Sequence, residues 1–286
     1  MQPHRGPAHD DVRFQRISAR ITVAHAPVQG ERVLANATIV VGDRRTAVVD
    51  AMFSPAMVDP VRAEAERLGG RPVDVVVLTH ADPDHVLGLA AFPDATVVGA
   101  LRTAEVLADP GVRSSYAALH ARFGGASGAF VPPRVDVAFD SRGRVDLGGV
   151  VLEAEFVGPA HSPADTLLCC PEERVAWSGD LVFHGLFPLV RDEVERWFAG
   201  LDRLEEGRPT WVVPGHGLVA DVGVVDAQRR VLRALVDEVA ALRAEGVPAD
   251  EAVATGRLDV HRYLPLAEER LPAAVRGIYA ALARRS

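Results

Sequence analysis

Apolar residues recur along the first hundred positions in short, β-branched runs broken by turn residues. Ile17 to Val23, Ala35 to Val41 and Thr46 to Asp50 read as strands, and Gly42-Asp43 reads as the hairpin turn between the last two. Pro55 to Leu68 has helical periodicity and stops at Gly69-Gly70. Val73-Asp74-Val75-Val76-Val77-Leu78 predicts a buried strand, Val86 to Ala91 the start of a short helix, and Ala95 to Gly99 another strand. This β-helix-β order predicts an α/β layered fold.

Residues 101–134 break the rhythm. Helical stretches at Arg102 to Ala108 and Val112 to Phe123 lead into Gly124-Gly125-Ala126-Ser127-Gly128 and then Pro132-Pro133. Such a segment serves either as a flap over a site or as a surface connection. Strands return at Val135 to Phe139, Val150 to Phe156, Thr166 to Cys170 and Arg174 to Trp177, followed by a helix over Asp192 to Glu206. Beyond Gly217 the pattern turns helical: Val224 to Glu245, Asp250 to Thr255 and Ala267 to Ala283. The organisation expected is a flexible lead over 1–10, a main domain over 11–223 and a helical extension over 224–286 packed on it. That extension is open to three roles: covering a pocket, building a homodimer contact, or plain packing. No internal repeat or low-complexity tract interrupts the chain.

Composition narrows the function classes. With 286 residues and 48% of them hydrophobic, the chain can bury a substantial core. A net charge of −8 gives no basic field for nucleic acid. The chain has no lysine, which excludes Schiff-base chemistry and a phosphate-loop lysine. The first residues carry no apolar signal core, and no apolar run reaches membrane-span length, so a cytoplasmic protein without membrane contact is expected. Cys169 and Cys170 are adjacent on a predicted strand and point to opposite faces, which predicts buried thiols rather than a disulfide.

Thr79-His80-Ala81-Asp82-Pro83-Asp84-His85 carries the candidate chemistry. It packs two imidazoles and two carboxylates directly behind a buried strand, where open α/β sheets build their sites. Pro83 is expected to bar a regular helix, letting the side chains fan around a centre. His161, within Gly158-Pro159-Ala160-His161-Ser162-Pro163-Ala164-Asp165, follows a strand-like run. Asp180, within Ser178-Gly179-Asp180, does so too, as does His216, within Pro214-Gly215-His216-Gly217. Each is read as lying in a turn just after its strand. Imidazole and carboxylate are the usual ligands of zinc, non-haem iron and manganese. No Gly-x-Ser-x-Gly elbow offers a serine nucleophile instead.

From about Arg20 to Gly217 the chain resembles the metallo-β-lactamase superfamily. That family's first motif, His-x-His-x-Asp-His, is followed by a lone His, a lone Asp and a last His. Asp82 stands where the family usually has its second His. The resemblance implies an αββα sandwich with His80, Asp82 and His161 on one metal ion, Asp84, His85 and His216 on another, and Asp180 between them. It implies a metal-bridging hydroxide attacking an ester, thioester, lactone or related acyl bond of a small-molecule substrate. The cofactors expected are two divalent ions, zinc first, with iron or manganese as alternatives because of Asp82. Asp84 would also orient the nucleophile or take part in proton transfer. His184, in the loop after Asp180, would touch substrate or donate to an oxyanion. Asp165 would either orient a ligand imidazole or stabilise its turn. Tyr116, His120 and Arg191 are weaker candidates of the same kind.

Two other readings compete with the hydrolase. A carboxylate at this position also occurs in the superfamily's flavodiiron branch, so a non-haem di-iron oxygenase or oxidoreductase is the first alternative. It would need a separate electron donor, since the chain has no flavodoxin-like domain. A binding protein that kept the fold but not the metals is the second, and the otherwise intact ligand set argues against it.

Overall fold

The computed structural model describes residues 12–26, 28–29, 32–33, 35–123, 128–191 and 194–284. The lead expected over 1–10 and the first residues of the helix expected from Asp192 lie outside them.

Among the described residues the strands form two sheets and a small ribbon. The first sheet begins with β1 (Arg13–Arg16) and β2 (Ile21–His25), and the ribbon β3 (Val28–Gln29) and β4 (Arg32–Val33) follows. The sheet then continues through β5 (Ala37–Val41), β6 (Thr46–Val49), β7 (Val75–Val77), β8 (Thr96–Ala100) and β9 (Val137–Phe139). Its spatial order is β1-β2-β5-β6-β7-β8-β9, antiparallel as far as β6 and parallel beyond. The second sheet takes its strands in chain order: β10 (Arg142–Asp146), β11 (Val151–Phe156), β12 (Thr166–Cys170), β13 (Val175–Phe183) and β14 (Trp211–His216). Only its last pair, β13 with β14, is parallel.

Helices cover both outer faces. Ser54 caps α1 (Pro55–Gly69) by accepting from Met57 N–H, and Gly70 ends it in the left-handed region. Then come α2 (Pro83–Val86), α3 (Leu101–Ala108), α4 (Pro110–Phe123), α5 (Val194–Glu206), α6 (Gly223–Ala244), α7 (Ala249–Ala252) and α8 (Ala267–Ala283).

Strand alternation sorts the apolar residues into three cores. Ile39 and Val48 face outward against Met57, Val58 and Val61 of α1. Val40, Ala47 and Val49 face inward and meet Leu152, Leu168, Trp177 and Val213 of the second sheet. The far face of that sheet packs on Trp197 and Leu201 of α5, Leu235 and Val239 of α6, and Leu271, Val275 and Ile278 of α8. The order of layers is therefore αββα, with the C-terminal helices sharing the core of α5. Trp197 is fully buried and donates its indole N–H to Leu181 O at 2.8 Å, so its one polar atom is satisfied.

Several local expectations need correction. Asp180 lies within β13 and His216 is the last residue of β14, rather than both lying in turns beyond their strands. Pro83 opens the helical turn α2 instead of preventing one, because at the first position its missing N–H costs no bond. The strands β1 and β10 were not anticipated. Their charged residues hide the apolar signal, and antiparallel pairing with β2 and β11 forms them. Cys170 is buried between the sheets, whereas Cys169 faces the other way and is only half-buried. Burial raises the Cys169 thiol to about 11, with nearby Glu153 adding to the effect.

Candidate metal centre

The donors converge because parallel strands end at one edge. The turn from β7 into α2 delivers His80, Asp82, Asp84 and His85. The loop between β11 and β12 delivers His161, and β13 and β14 deliver Asp180 and His216. Within β13 the register against β14 shifts around Gly179, whose φ is 48°. This left-handed residue makes a bulge that re-aims the next side chain, Asp180, towards the edge.

Two groups of donor atoms result. His80, Asp82, His161 and Asp180 form one, and Asp84, His85 and His216 form the other, with the donor atoms of each within 4.8 Å of one another. Asp180 reaches both. Its Oδ2 lies 3.9 Å from His80 Nε2, 3.5 Å from His161 Nε2 and 3.3 Å from His216 Nε2, and its Oδ1 lies 3.2 Å from His85 Nε2. His216 Nε2 is also 3.3 Å from Asp84 Oδ2. All seven residues named from the sequence as metal ligands are thus gathered in one place.

The donor set fits cations. His80 Nε2, His85 Nε2 and Asp180 Oδ1 are buried with no hydrogen-bond partner among the described residues. Leaving such atoms unsatisfied costs about 1–3 kcal/mol each, and divalent cations among them would satisfy every one.

Electrostatics follow the same geometry. Burial pushes the Asp180 carboxyl up, but His216 and His85 outweigh that and hold it well below the usual range. Burial pushes the His85 imidazole down, and the carboxylates of Asp180 and Asp50 raise it well above its ordinary value. His80 is lowered, first by burial and then by the charge of His85. Asp82 is held far below the carboxylate range against its burial, by the hydrogen bond from His161 and the charges of His80 and Arg191.

The distal ring nitrogens of His80, His85 and His161 are held by the protein, whereas His216 Nδ1 has no hydrogen-bond partner among the described residues. His85 Nδ1 lies 2.8 Å from Asp50 Oδ2, and Asp50 also accepts from the Thr79 N–H at 2.8 Å and the Thr79 hydroxyl at 2.7 Å. His80 Nδ1 lies 3.0 Å from Thr79 Oγ1. His161 Nδ1 donates to Leu189 O at 3.1 Å. Phe183 stacks on the His216 ring with centroids 5.2 Å apart. These contacts fix ring orientation as the partners of ligand imidazoles do.

The remaining candidates divide. Asp165 accepts from Ala160 N–H, Ser162 N–H and the Ser162 hydroxyl, so it stabilises its turn and orients no imidazole. His184 donates Nδ1–H to Leu218 O at 2.7 Å. It lines a groove of about 480 Å³ alongside Phe183, Gln228 and Tyr263, outside the two donor groups. Tyr116 of α4 donates to Ala81 O at 2.5 Å, seating the helix on the ligand turn. His120 donates to Gly128 O at 2.9 Å, away from the centre.

Arg191 bonds Asp82, a closer involvement than its weak ranking suggested. Asp50 was missed as a functional residue. Its signal was an aspartate closing a buried strand at the edge that carries the ligands, and it adopts φ 59°, which aspartate tolerates better than most residues. Arg270 of α8 also escaped notice; it lies over the Phe183 ring and donates to Phe187 O.

Comparison with known proteins agrees with the geometry. Residues 30–216 match the family described as the metallo-beta-lactamase superfamily. A 2,4-dinitroanisole O-demethylase subunit alpha from Nocardioides sp. is 30% identical over 180 residues, 61% of this chain and 50% of that protein, so the match spans half its length. A hydroxyacylglutathione hydrolase from Ruegeria pomeroyi is 28% identical over 233 residues, covering 80% of this chain and 77% of that one. Among solved structures, a metallo-beta-lactamase from Pontibacter korlensis superposes with a TM-score of 0.61 at 20% identity. The superposition covers 78% of this chain and 99% of that one, a likeness of fold alone. With its αββα layers and its His/Asp donors at the strand edge, the chain belongs to the metallo-beta-lactamase superfamily.

Proposed function

We propose that the protein is a dinuclear metal-dependent hydrolase of an ester, thioester, lactone or related acyl bond in a small-molecule substrate. The observation that carries this reading is the pair of adjoining donor groups with buried, unpartnered imidazole nitrogens. In this reading His80, Asp82 and His161 hold one cation, Asp84, His85 and His216 hold the other, and Asp180 serves both. Two divalent ions there, zinc first and iron or manganese as alternatives, would supply Lewis acidity and a water acidic enough to react at neutral pH.

The chain's own groups would do the rest. Asp84, the most exposed of the three site carboxylates at 25%, orients the attacking water and takes its proton. Asp50 and Leu189 hold the imidazoles in register. Phe183 and Trp197 wall the inner side with apolar surface and keep bulk water out. His184, which lines the same groove as Phe183, contacts the substrate. The likeness to a hydroxyacylglutathione hydrolase supports the acyl-bond class.

The test is metal content by mass spectrometry on protein purified without chelator, followed by an ester, thioester and lactone panel. About two zinc ions per chain and turnover of a panel member are expected. A folded, metal-loaded protein that hydrolyses none of them would sink the reading.

Asp82 favours a second reading, a di-iron oxygenase or oxidoreductase, because a carboxylate adds a hard, anionic donor. Arg191 weighs against it by cancelling that charge. Oxygen uptake coupled to substrate loss by iron-loaded protein would reverse the order.

A further inference from the structure

The guanidinium of Arg191 lies on the one carboxylate that departs from the family motif. Its Nη2 donates to Asp82 Oδ2 at 2.7 Å and its Nη1 to Oδ1 at 3.4 Å. The same Oδ2 faces His161 Nε2 at 3.3 Å and His80 Nε2 at 3.8 Å. One oxygen is therefore shared between an arginine on one side and the imidazole nitrogens on the other. Asp82 is 17% exposed and Arg191 36%, so water screens this pair less than it screens a surface pair.

Arg191 is held from behind by the C-terminal helix. Its carbonyl oxygen lies where a side chain on Gly277 of α8 would have its Cβ only 2.8 Å away, a separation only glycine allows. Two bonds tie the same loop to the C-terminal segment: Phe187 N–H to Pro265 O at 3.0 Å, and Arg270 to Phe187 O at 2.7 Å. This loop also carries Leu189, whose carbonyl fixes His161.

We infer that Asp82 and Arg191 together take the place of one neutral imidazole, so that the first donor group keeps the charge balance of an all-histidine site. The inference rests on the metal-centre reading above. A free carboxylate brings a full negative charge and shifts a site towards manganese or iron relative to zinc. Bonded to Arg191, the carboxylate has part of its donor capacity occupied, and the pair carries no net charge. Guanidinium has no lone pair, so Arg191 is a positioning residue that sets metal preference without being a ligand. Because α8 positions Arg191, the helical extension becomes part of what defines the first donor group.

The test uses the full chain, stripped of metal and titrated separately with zinc and with manganese against a chromophoric chelator. Arg191→Met is expected to raise the manganese-to-zinc affinity ratio by about tenfold, the lower end of what partners of ligands contribute. Arg191→Lys, which keeps the charge, is expected to stay nearer the wild-type ratio than Arg191→Met. The double variant Asp82→His with Arg191→Met, which needs no counter-charge, is expected to return to zinc preference. An Arg191→Met protein that binds both metals at the wild-type ratio overturns the inference. If Arg191→Met fails to fold, the double variant decides. Its folding and binding of zinc supports the pair, and its failure shows that Arg191 acts through packing alone, which also overturns it. A wild-type chain that binds neither metal refutes the metal-centre reading itself, a result distinct from an unchanged ratio.

Discussion

The two donor groups of this centre share Asp180 but are built in different ways. Asp84 and His85 stand on α2 directly behind β7, His216 ends β14, and the support of His85 is Asp50, just after β6 and 4% exposed. His80, Asp82 and His161 depend in addition on the loop after β13, which supplies Leu189 O and Arg191. That loop is pinned by Pro265, Arg270 and Gly277 from the C-terminal segment. The second group is therefore internal to the two sheets, whereas the first is completed by an element the family match does not include, since that match ends at residue 216. The two donor groups thus differ in how far their supports lie from the strands that carry them.

The strongest way to break this comparison is at Asp50. Asp50→Ala removes the carboxylate that orients His85 and accepts both Thr79 donors. Leaving those buried groups unpaired is expected to cost about 3 kcal/mol of stability, read by denaturant unfolding. Metal affinity of the second group should fall about 10–100-fold, while the first group, which Asp50 reaches only through Thr79 and His80, should lose less. Equal loss from both groups in the chelator titration would show that the halves are not separately supported.

The complementary change is Gly277→Ala. Its Cβ would press on the Arg191 carbonyl, and relieving that contact is expected to cost about 1–3 kcal/mol as other overpacked sites do. The displaced loop should weaken the first group and leave the second near its wild-type affinity. The expected pattern is the reverse of that for Asp50→Ala, and finding both variants to weaken the same group would erase the distinction.

The different origins of the two halves also explain what the sequence could reveal. The gathered donors were legible because metal chemistry would demand particular residue types at short spacing, as in His80 to His85, and because β-branched runs mark the strands that carry them. The αββα layering was legible for the same reason, through the resemblance that those motifs establish. The supports were harder to see. Asp50 is 35 positions from His85 and looks like an ordinary strand terminator until β6 and β7 pair in parallel. Arg191 lies 109 positions from Asp82, and nothing local distinguishes it from the other arginines of a lysine-free chain. Strands β1 and β10 were invisible because pairing with a neighbour forms them, not their own apolar content.

The smallest predicted effect separates the two roles once open for Asp165. Its carboxylate accepts from Ala160 N–H at 3.0 Å, Ser162 N–H at 2.8 Å and the Ser162 hydroxyl at 2.7 Å, while His161 turns its Nδ1 to Leu189 instead. In Asp165→Asn one amide oxygen can still accept from the two backbone donors. The amide nitrogen can donate to Ser162 Oγ, whose own proton is free to rotate. The loss is then chiefly the charge assistance of these bonds, expected at about 1 kcal/mol by denaturant unfolding. Metal affinity should stay close to wild type, since the loop around His161 keeps its shape and the imidazole keeps its Leu189 partner. Were Asp165 instead a partner that sets the imidazole's orientation, the same substitution would weaken metal binding about 10–100-fold. A loss of that size would move the support of the first group from the loop after β13 back to the β11–β12 turn.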